Sequence, residues 1–325
     1  MIPLAKYQNK KIAIYGMGLS GCSAAKLLKK MKTRILCWDD SKKVRKKVKK
    51  LGFPISKFWL DKNKNSIDYI LISPGINIDK CYIKFFLKKK IKKIITDLDI
   101  FFDLNRGAKI ISITGTNGKS TTCKLIEKIL KKAKYNAKVG GNIGSPVLDL
   151  CGPKRKKIFI LEISSYQIQY SKLFRSNHAA ILNISPDHLD RHKSMNNYVR
   201  IKSKIFFAQK KTDYSYINFE NKHSKKIRNL FKSRKIKSKL VSIYKHDCSS
   251  LLKKINNNYF KSTGNIENLA FAYKIAKNFN INDKIISKAV NEFKGLPHRQ
   301  EVIFSNNRIT FVNDSKATSF DASAQ

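Results

Sequence analysis

The fold is decided by residues 109–130, which read KIISITGTNGKSTTCKLIEKIL. An apolar run predicts a buried strand, a turn with Gly115 and Gly118 follows it, and a helical pattern starts at Lys119. The backbone N–H groups of such a turn point at one place and can wrap a phosphate chain. Lys119 would neutralise the terminal phosphate, and the Ser120 hydroxyl would bind Mg²⁺. The segment therefore predicts a site for a nucleoside triphosphate and Mg²⁺.

This phosphate loop (residues 115–122) differs from the standard Walker A pattern, because Ile113 stands where that pattern requires its first glycine. The order of strand, glycines, lysine and helix start still meets the requirements for phosphate binding. The predicted nucleotide-binding residues of the loop are Gly115, Thr116, Asn117, Gly118, Lys119, Ser120, Thr121 and Thr122.

Two polar residues follow other predicted strands and suit metal-assisted phosphoryl transfer. Glu162 ends the apolar run 158–161, and His188 lies in a loop rich in Asn, Asp and Arg after the run 179–182. The carboxyl ends of parallel strands meet at one edge of a sheet, where a carboxylate is well placed to hold Mg²⁺. The alternatives are a surface glutamate on an edge strand and a structural histidine.

A second glycine-rich turn lies near the N-terminus. Gly16, Gly18 and Gly21 follow the apolar run 11–15, and Asp39 stands after the next predicted strand. This spacing fits the dinucleotide fingerprint, in which N–H groups at a helix start meet a diphosphate. Three interpretations are open: an NAD site, a UDP-sugar site, because such sugars also carry a diphosphate, and a tight turn without a ligand.

Strands and helices alternate along most of the chain, which is typical of parallel α/β sheets. A second α/β unit opens at Lys109, and Gly295-Leu-Pro297 is a natural break. Residues 140–144, GGNIG, are predicted as a glycine-rich turn. Further strands are predicted at 34–38, 68–72, 215–218 and 240–244, and amphipathic helices at 266–279 and 285–293.

The composition is strongly basic, with 68 Lys and Arg against 22 Asp and Glu and a formal net charge of +46. Lysine greatly outnumbers arginine, whereas proteins that bind phosphate or bases favour the guanidinium fork of arginine. The excess is also spread along the chain together with Ile and Asn, as an AT-rich genome would produce at undemanding surface positions. We therefore expect no nucleic-acid partner.

The six cysteines are scattered without a CxxC pair, which favours free thiols in a reducing compartment. No apolar run reaches the roughly 18 residues that a membrane-spanning helix requires. The first residues run into a charged stretch and a strand, unlike a signal peptide. We expect a cytoplasmic protein without membrane insertion.

Six segments together resemble the Mur ligase family in order and spacing, and the match extends over residues 10–325. In that family the resemblance implies an N-terminal Rossmann-like domain that binds a UDP-sugar and a central P-loop α/β domain that binds ATP. The expected domains are 1–97, 98–297 and, as only the start of a third α/β acceptor domain, 298–325. The six segments are Gly115-Thr-Asn-Gly-Lys-Ser-Thr121, Gly140-Gly-Asn-Ile-Gly144, Leu161-Glu-Ile-Ser-Ser-Tyr-Gln167, Asn183 to Arg191, Gly295-Leu-Pro-His-Arg299 and Asn313-Asp-Ser-Lys-Ala-Thr318.

Within the family, the chain is most like the members that join D-glutamate to UDP-N-acetylmuramoyl-L-alanine in peptidoglycan synthesis. The resemblance implies that a substrate carboxylate attacks the γ-phosphate of ATP and that an amine then displaces phosphate from the acyl phosphate. It also implies a monomer with these small-molecule partners. The alternatives are another Mur or folylpolyglutamate-type ligase, and a non-catalytic remnant that binds ATP and UDP-sugar. Because the expected acceptor domain is incomplete, we expect these residues alone to bind ATP–Mg²⁺ weakly and not to form the D-glutamyl amide.

The resemblance assigns roles to residues outside the phosphate loop. A carbamylated lysine often helps to hold a second Mg²⁺ in this family, and Lys202 matches it, with Lys204 as the alternative register. One departure is Asp39-Asp40-Ser41, because the family usually has an arginine at the third position. The implied metal ligands are Ser120, Glu162, His188 and Lys202, and the implied catalytic residues are Lys119, His188, Lys202 and Lys316. Asn268, Arg299 and Asp314 are implied to contact ATP, and Leu19, Ser20, Gly75 and Asn142 to contact the UDP-sugar.

Overall fold

The first half of the fold is a four-stranded parallel sheet with the strand order β2-β1-β3-β4. The computed structural model of the protein describes residues 6–60, 64–151, 157–306 and 308–317. The strands of this sheet are β1 (Lys11–Tyr15), β2 (Arg34–Trp38), β3 (Tyr69–Ile72) and β4 (Ile94–Ile95). The helices of this part are α1 (Leu19–Lys30), α2 (Lys42–Lys50), α3 (Lys84–Lys89) and α4 (Asp97–Leu104).

A six-stranded parallel sheet follows, with the order β10-β9-β8-β5-β7-β6. Its strands are β5 (Lys109–Thr114), β6 (Ala137–Gly141), β7 (Ile158–Glu162), β8 (His178–Ile181), β9 (Tyr214–Asn218) and β10 (Lys239–Ile243). Its helices are α5 (Lys119–Lys132), α6 (Ser165–Gln169), α7 (Leu189–His192), α8 (Met195–Ser203), α9 (Ser224–Ser233), α10 (Ser249–Leu252), α11 (Thr263–Lys277) and α12 (Asp283–Asn291).

The two parallel sheets confirm the expected α/β class. The register of the larger sheet brings the predicted site residues together: Ile113 lies opposite Glu162 on β7, and Thr114 lies opposite Ile181 on β8. The carboxyl ends of β5, β7 and β8 therefore share one edge. Loops that leave these three strands must converge there.

Three apolar clusters hold the sheets and helices together. One covers the outer face of the smaller sheet and another packs α5, α11 and α12 against one face of the larger sheet. The third is continuous from the smaller sheet through α1 and α4 to the opposite face of the larger one. Because that cluster is shared, burial of apolar surface fixes the two sheets relative to each other.

Polar contacts reinforce this junction. The Ser23 hydroxyl on α1 donates to Asp149 Oδ1 at 2.5 Å. On α4, Asp99 Oδ1 accepts hydrogen bonds from the Ser171 hydroxyl and from the backbone N–H of Lys172 and Leu173, at 2.7–2.9 Å. The predicted domain boundary between 97 and 98 falls in the first turn of α4, so this helix joins both halves.

The predicted glycine-rich turn 140–144 is only partly a turn. Gly140 and Gly141 end β6, and the chain bends at residues 142–145. Gly141 has a φ of +106°, and a Cβ there would lie 2.3 Å from Glu162 O on the neighbouring strand. The glycine therefore serves close strand packing beside Glu162.

After Gly295 the chain forms an antiparallel hairpin of β11 (Glu301–Ser305) and β12 (Thr310–Asn313). Half or more of each large apolar side chain of the hairpin is exposed. These side chains are Val302, Ile303, Phe304, Ile309, Phe311 and Val312. The six predicted free cysteines are unpaired. Within the described ranges, no helix is long and apolar enough to span a membrane.

Candidate active site

A cavity of about 250 Å³ lies at the shared carboxyl edge of β5, β7 and β8. It is bounded by the phosphate loop and by residues directly before and after the hairpin. Of the residues predicted to bind ATP or metal or to be catalytic, Gly115, Thr122 and Lys202 lie outside its lining. The predicted residues that line it are Thr116, Asn117, Gly118, Lys119, Ser120, Thr121, Asn142, Glu162, His188, Asn268, Arg299, Asp314 and Lys316.

The phosphate loop is held in shape from outside by two asparagines. Asn183 Oδ1 accepts hydrogen bonds from the N–H groups of Thr116 at 3.1 Å and Asn117 at 2.8 Å. Gly118 has a φ of +78°, and a Cβ there would lie 2.1 Å from Asn268 Oδ1. Only glycine fits at this position, because the left-handed backbone and the asparagine both exclude a side chain. Helix α5 begins at the next residue.

Lys119 is folded back over the loop that precedes it. Its Nζ donates to Thr116 O at 2.7 Å and to Gly115 O at 3.1 Å. Burial lowers the pKa of this lysine, while the carboxylates of Glu162 and Asp187 act in the opposite direction. The ammonium is thus held at the cavity wall, where it can neutralise a phosphate.

Glu162 is buried at the end of β7 and organises the polar side of the cavity. Its Oε2 accepts from the Ser120 hydroxyl at 2.7 Å, and its Oε1 accepts from Asn142 Nδ2 at 2.8 Å. A hydroxyl beside a carboxylate is a pair of hard oxygen donors, which suits Mg²⁺. No group of three or more His, Cys, Asp or Glu side chains clusters for a metal in the part of the chain that the structure describes. Mg²⁺ takes few protein ligands and fills its shell with water and phosphate oxygens.

His188 lines the cavity at the N-terminal end of α7. Its Nε2 is 3.3 Å from Asp187 Oδ2, and its ring packs on Tyr166 with centroids 4.9 Å apart. The side chain is 45% exposed, so it can reach a ligand in the cavity.

Lys202 is buried beneath the phosphate loop. Its Nζ donates to Gly115 O at 2.8 Å and to Thr114 Oγ1 at 3.4 Å, and burial together with Lys119 lowers its pKa well below the usual range. The alternative, Lys204, points elsewhere and donates to Gln169 O at 2.5 Å. Of the two lysines, only Lys202 contacts the loop.

The residues directly before and after the hairpin bring two predicted ATP residues and the predicted catalytic Lys316 to the cavity. Arg299, Asp314 and Lys316 all line it. Asp314 Oδ1 accepts from the Gln300 N–H at 3.2 Å, and Gln300 Oε1 accepts from Asn265 on α11 at 3.2 Å. These bonds connect the hairpin to the body of the larger sheet. Thr318 of the Asn313–Thr318 motif lies outside the described residues.

A second cavity, of about 410 Å³, opens between the two sheets. All four predicted UDP-sugar residues line it: Leu19, Ser20, Gly75 and Asn142. It lies beside the N-terminal glycine turn, where Ser73 Oγ donates to Gly16 O at 2.6 Å. Asn142 lines both cavities, so they adjoin at this side chain.

Asp39 and its neighbours shape one wall of the second cavity. Asp39 Oδ2 accepts from the Met17 N–H at 2.7 Å and Oδ1 from the Ser41 N–H at 2.9 Å. Ser41 replaces the arginine that the family usually has. Arg45 reaches the same strand end from α2, and its Nη1 donates to Asp39 O at 2.7 Å and Asp40 O at 2.8 Å.

Sequence reasoning gave no individual role to several residues of the first cavity. Asn183 holds the phosphate loop and lies two residues after the end of β8, so its position after a strand next to β5 was a usable signal. Tyr259, Asn265 and Gln300 line the cavity, from a 3₁₀ turn, from α11 and from the segment before β11. Nothing in their local sequence indicates this, because only the tertiary fold brings them there.

Comparisons with known proteins find similar sequences over nearly the whole chain. Residues 113–290 match the model of the Mur ligase middle domain. A UDP-N-acetylmuramoylalanine–D-glutamate ligase from Rickettsia prowazekii is 36% identical over 96% of this chain and 73% of its own length. One from Caldicellulosiruptor saccharolyticus is 34% identical over 98% and 75%.

A solved structure shares the fold at low sequence identity. The UDP-N-acetylmuramate:L-alanyl-gamma-D-glutamyl-meso-diaminopimelate ligase from Neisseria meningitides aligns with a TM-score of 0.58 at 13% identity, covering 88% of this chain and 99% of that one. The fold, the matched middle domain and the two ligases that are more than 30% identical agree on one conclusion. The chain belongs to the Mur ligase family.

Proposed function

We propose that the protein joins D-glutamate to UDP-N-acetylmuramoyl-L-alanine at the expense of ATP, as a cytoplasmic monomer. One observation carries this proposal: the two cavities meet at Asn142, whose amide donates to Glu162 beside the phosphate loop. A sugar nucleotide in the second cavity would thereby direct its far end toward the γ-phosphate of ATP in the first. The names of the two relatives support the choice of substrates.

The first step is attack of the substrate carboxylate on the γ-phosphate, which gives an acyl phosphate and ADP. Loop N–H groups and Lys119 hold the phosphates, and preorganised donors of this kind stabilise developing charge. Attack by the amine of D-glutamate on the acyl carbonyl then forms the amide and releases phosphate. Asn268, Arg299 and Asp314 are proposed to hold the rest of ATP, and Lys316 to act at the reacting end.

Ser120 and Glu162 would hold one Mg²⁺, and His188 a second, with Lys202 in carbamylated form. When bound, Mg²⁺ supplies charge neutralisation for the phosphates. Carbamylation requires an unprotonated amine, and the lowered pKa of Lys202 favours that form. Addition of CO₂ to the neutral amine, with release of a proton, would place a carbamate oxygen next to the phosphate loop.

The N-terminal glycine turn is proposed to bind the UDP-sugar and not NAD. No hydride-transfer residues accompany the turn, while residues that suit an ATP-dependent ligase occupy the remainder of the chain. Calorimetric titration should show binding of UDP-N-acetylmuramoyl-L-alanine and no response to NAD. Micromolar NAD binding without a response to the precursor would overturn this assignment.

The function is tested by incubating residues 1–325 with ATP, Mg²⁺, precursor and labelled D-glutamate. An amide product whose formation requires ATP, with none from L-glutamate or meso-diaminopimelate as competing acceptors, would support the proposed function. Preferential use of another amino acid would assign the chain to a different ligase of the family. Binding of both nucleotides without any product would favour the non-catalytic alternative.

A further inference from the structure

Arg191 contacts both halves of the molecule. It belongs to α7, in the loop region that begins with His188. Its Nη2 donates to Ile76 O at 2.6 Å, one residue after Gly75 in the wall of the second cavity. Its Nε donates to Gln169 Oε1 at 3.0 Å, at the end of α6. One guanidinium thus connects the smaller sheet to the larger one.

Two tyrosines of α6 and its end extend this connection. The guanidinium carbon lies 5.0 Å from the ring centre of Tyr166 and 5.9 Å from that of Tyr170. Tyr166 packs on the His188 ring, and the Tyr170 hydroxyl accepts from the Ile78 N–H at 3.3 Å. The segment 73–78, which carries Gly75, is therefore tied to the segment 187–192, which carries His188.

We propose that Arg191 is a positioning residue that couples occupancy of the two cavities, an inference that rests on the proposed function. A ligand at Gly75 orders segment 73–78 and its Ile76 carbonyl, and through Arg191 and Tyr166 it orders His188. A second ligand at the phosphate loop then binds beside His188 when this side chain is already ordered, so the entropy cost of ordering it is not incurred again. Each ligand therefore strengthens the binding of the other.

The geometry requires arginine in particular. Its planar fork donates in two directions at once while its flat face packs on aromatic rings. A lysine at the same position has a point charge and cannot make both hydrogen bonds in that plane. The coupling should therefore depend on the side chain's shape as well as on its charge.

The test measures the affinity of residues 1–325 for UDP-N-acetylmuramoyl-L-alanine with and without a non-hydrolysable ATP analogue and Mg²⁺. The reciprocal titration serves as an internal check, because the two coupling factors must be equal. In the wild type we expect tightening of about 5-fold or more. Arg191→Gln and Arg191→Lys should bring the factor close to one while each ligand still binds alone.

Arg200→Gln is the matched control. Arg200 lies on the next helix, is exposed and donates only to Asn197 Oδ1 among the described residues, at 2.9 and 3.3 Å. The substitution Arg200→Gln removes the same charge at a residue that lines neither cavity, so the coupling factor should stay at the wild-type value. Thermal unfolding of each variant shows whether the fold is lost. If Arg191→Gln does not fold, Tyr170→Phe replaces it, because this change removes only the hydrogen bond to Ile78. Tyr170→Phe should then reduce the coupling factor.

Three results would overturn the inference. Both ligands binding independently in the wild type would remove the coupling, and an unchanged factor in both Arg191 variants would assign it to other residues; in both cases the proposed function stands. If the wild type bound neither nucleotide, the proposed function would fail and this inference with it.

Discussion

The two glycine-rich turns of this protein have the same strand–turn–helix backbone but different side chains at the start of the helix. Each joins a strand near the middle of a parallel sheet to a helix, from β1 to α1 and from β5 to α5. The first helix starts at Leu19, which is 83% exposed, and the second at Lys119, which is partly buried. Both helix starts offer backbone N–H groups, but only the second adds a cation.

The neighbouring carboxylates differ in the same way. Asp39 follows β2, beside β1, and accepts from two backbone N–H groups. Glu162 ends β7, beside β5, and accepts from two side chains that line the first cavity. The first carboxylate stabilises its own loop, whereas the second is available for a metal. The comparison teaches that a strand–turn–helix provides phosphate binding, and that one lysine and one carboxylate decide whether it suits a triphosphate with Mg²⁺.

The largest expected effect is that of Lys119→Ala. Removing the ammonium leaves the charge developing on the transferred phosphate without its nearest cation, so phosphate release from ATP should slow by about 100-fold or more. Lys124→Ala removes the same charge from the same helix, where Lys124 pairs with Glu127 at 2.9 Å, and should keep the wild-type rate. Near-normal turnover of Lys119→Ala would make the two turns equivalent and refute the phosphate-loop assignment.

Glu162→Gln should weaken Mg²⁺ binding, because an amide oxygen replaces a carboxylate next to Ser120. In the presence of an ATP analogue, we expect the Mg²⁺ affinity to fall by about 10-fold or more. Asp39→Asn is the counterpart at the first turn and should leave the Mg²⁺ affinity unchanged. Titration with Mn²⁺ followed by electron paramagnetic resonance measures both. An equal loss in the two variants would contradict separate roles for the carboxylates.

Glycine replacements should distinguish the two turns in stability. Gly118 has a left-handed φ and faces Asn268, so Gly118→Ala should lower the free energy of unfolding by about 1–3 kcal/mol. At Gly18 the φ is −70° and a Cβ would meet no described heavy atom within 4 Å. Gly18→Ala should therefore change the free energy of unfolding by no more than about 0.5 kcal/mol. Urea unfolding decides this, and equal losses would show that the first turn is as constrained as the second.

The sequence predicted those parts of the fold whose signal is local. Strand β5 is an apolar run followed by glycines, and its position was expected within one residue. Strand β6 was missed because it is an edge strand that ends in two glycines, which resemble a turn. Helix α8 was missed because buried Lys202 interrupts its apolar pattern, and α9 because its three apolar residues lie in a lysine-rich stretch.

The same distinction holds for the site. Lys119 and Ser120 could be found because the phosphate loop contains most of its donors within eight consecutive residues. Tyr259 and Asn265 could not, because they meet the loop only after α11 packs against α5. Asn268 and Arg299 were predicted to contact ATP only through the resemblance to a family, because their local sequence does not indicate this role.

The smallest expected effect is a pH dependence of the free energy of unfolding that arises in the larger sheet. All six histidines lie after residue 177, so the strands of the smaller sheet contain none. His178 on β8 is buried, its Nδ1 lies 2.9 Å from Tyr216 Oη, and its ring stacks on Tyr214. Burial lowers the pKa of His178 from 6.5 to about 4, with Lys109 acting in the same direction.

Because that pKa is depressed in the folded state, the neutral form of His178 stabilises the fold above pH 6.5, and this contribution is lost as the pH falls toward 4. The wild-type free energy of unfolding should therefore decrease over this window. His178→Phe keeps the ring stack and loses the bond to Tyr216, so it should be less stable than wild type at pH 7 by about 1 kcal/mol. It should also lose less stability on acidification, since the phenyl ring cannot be protonated. Urea unfolding at pH 7 and pH 4.5 measures both differences, and equal acid sensitivity of the two proteins would assign the effect to other groups.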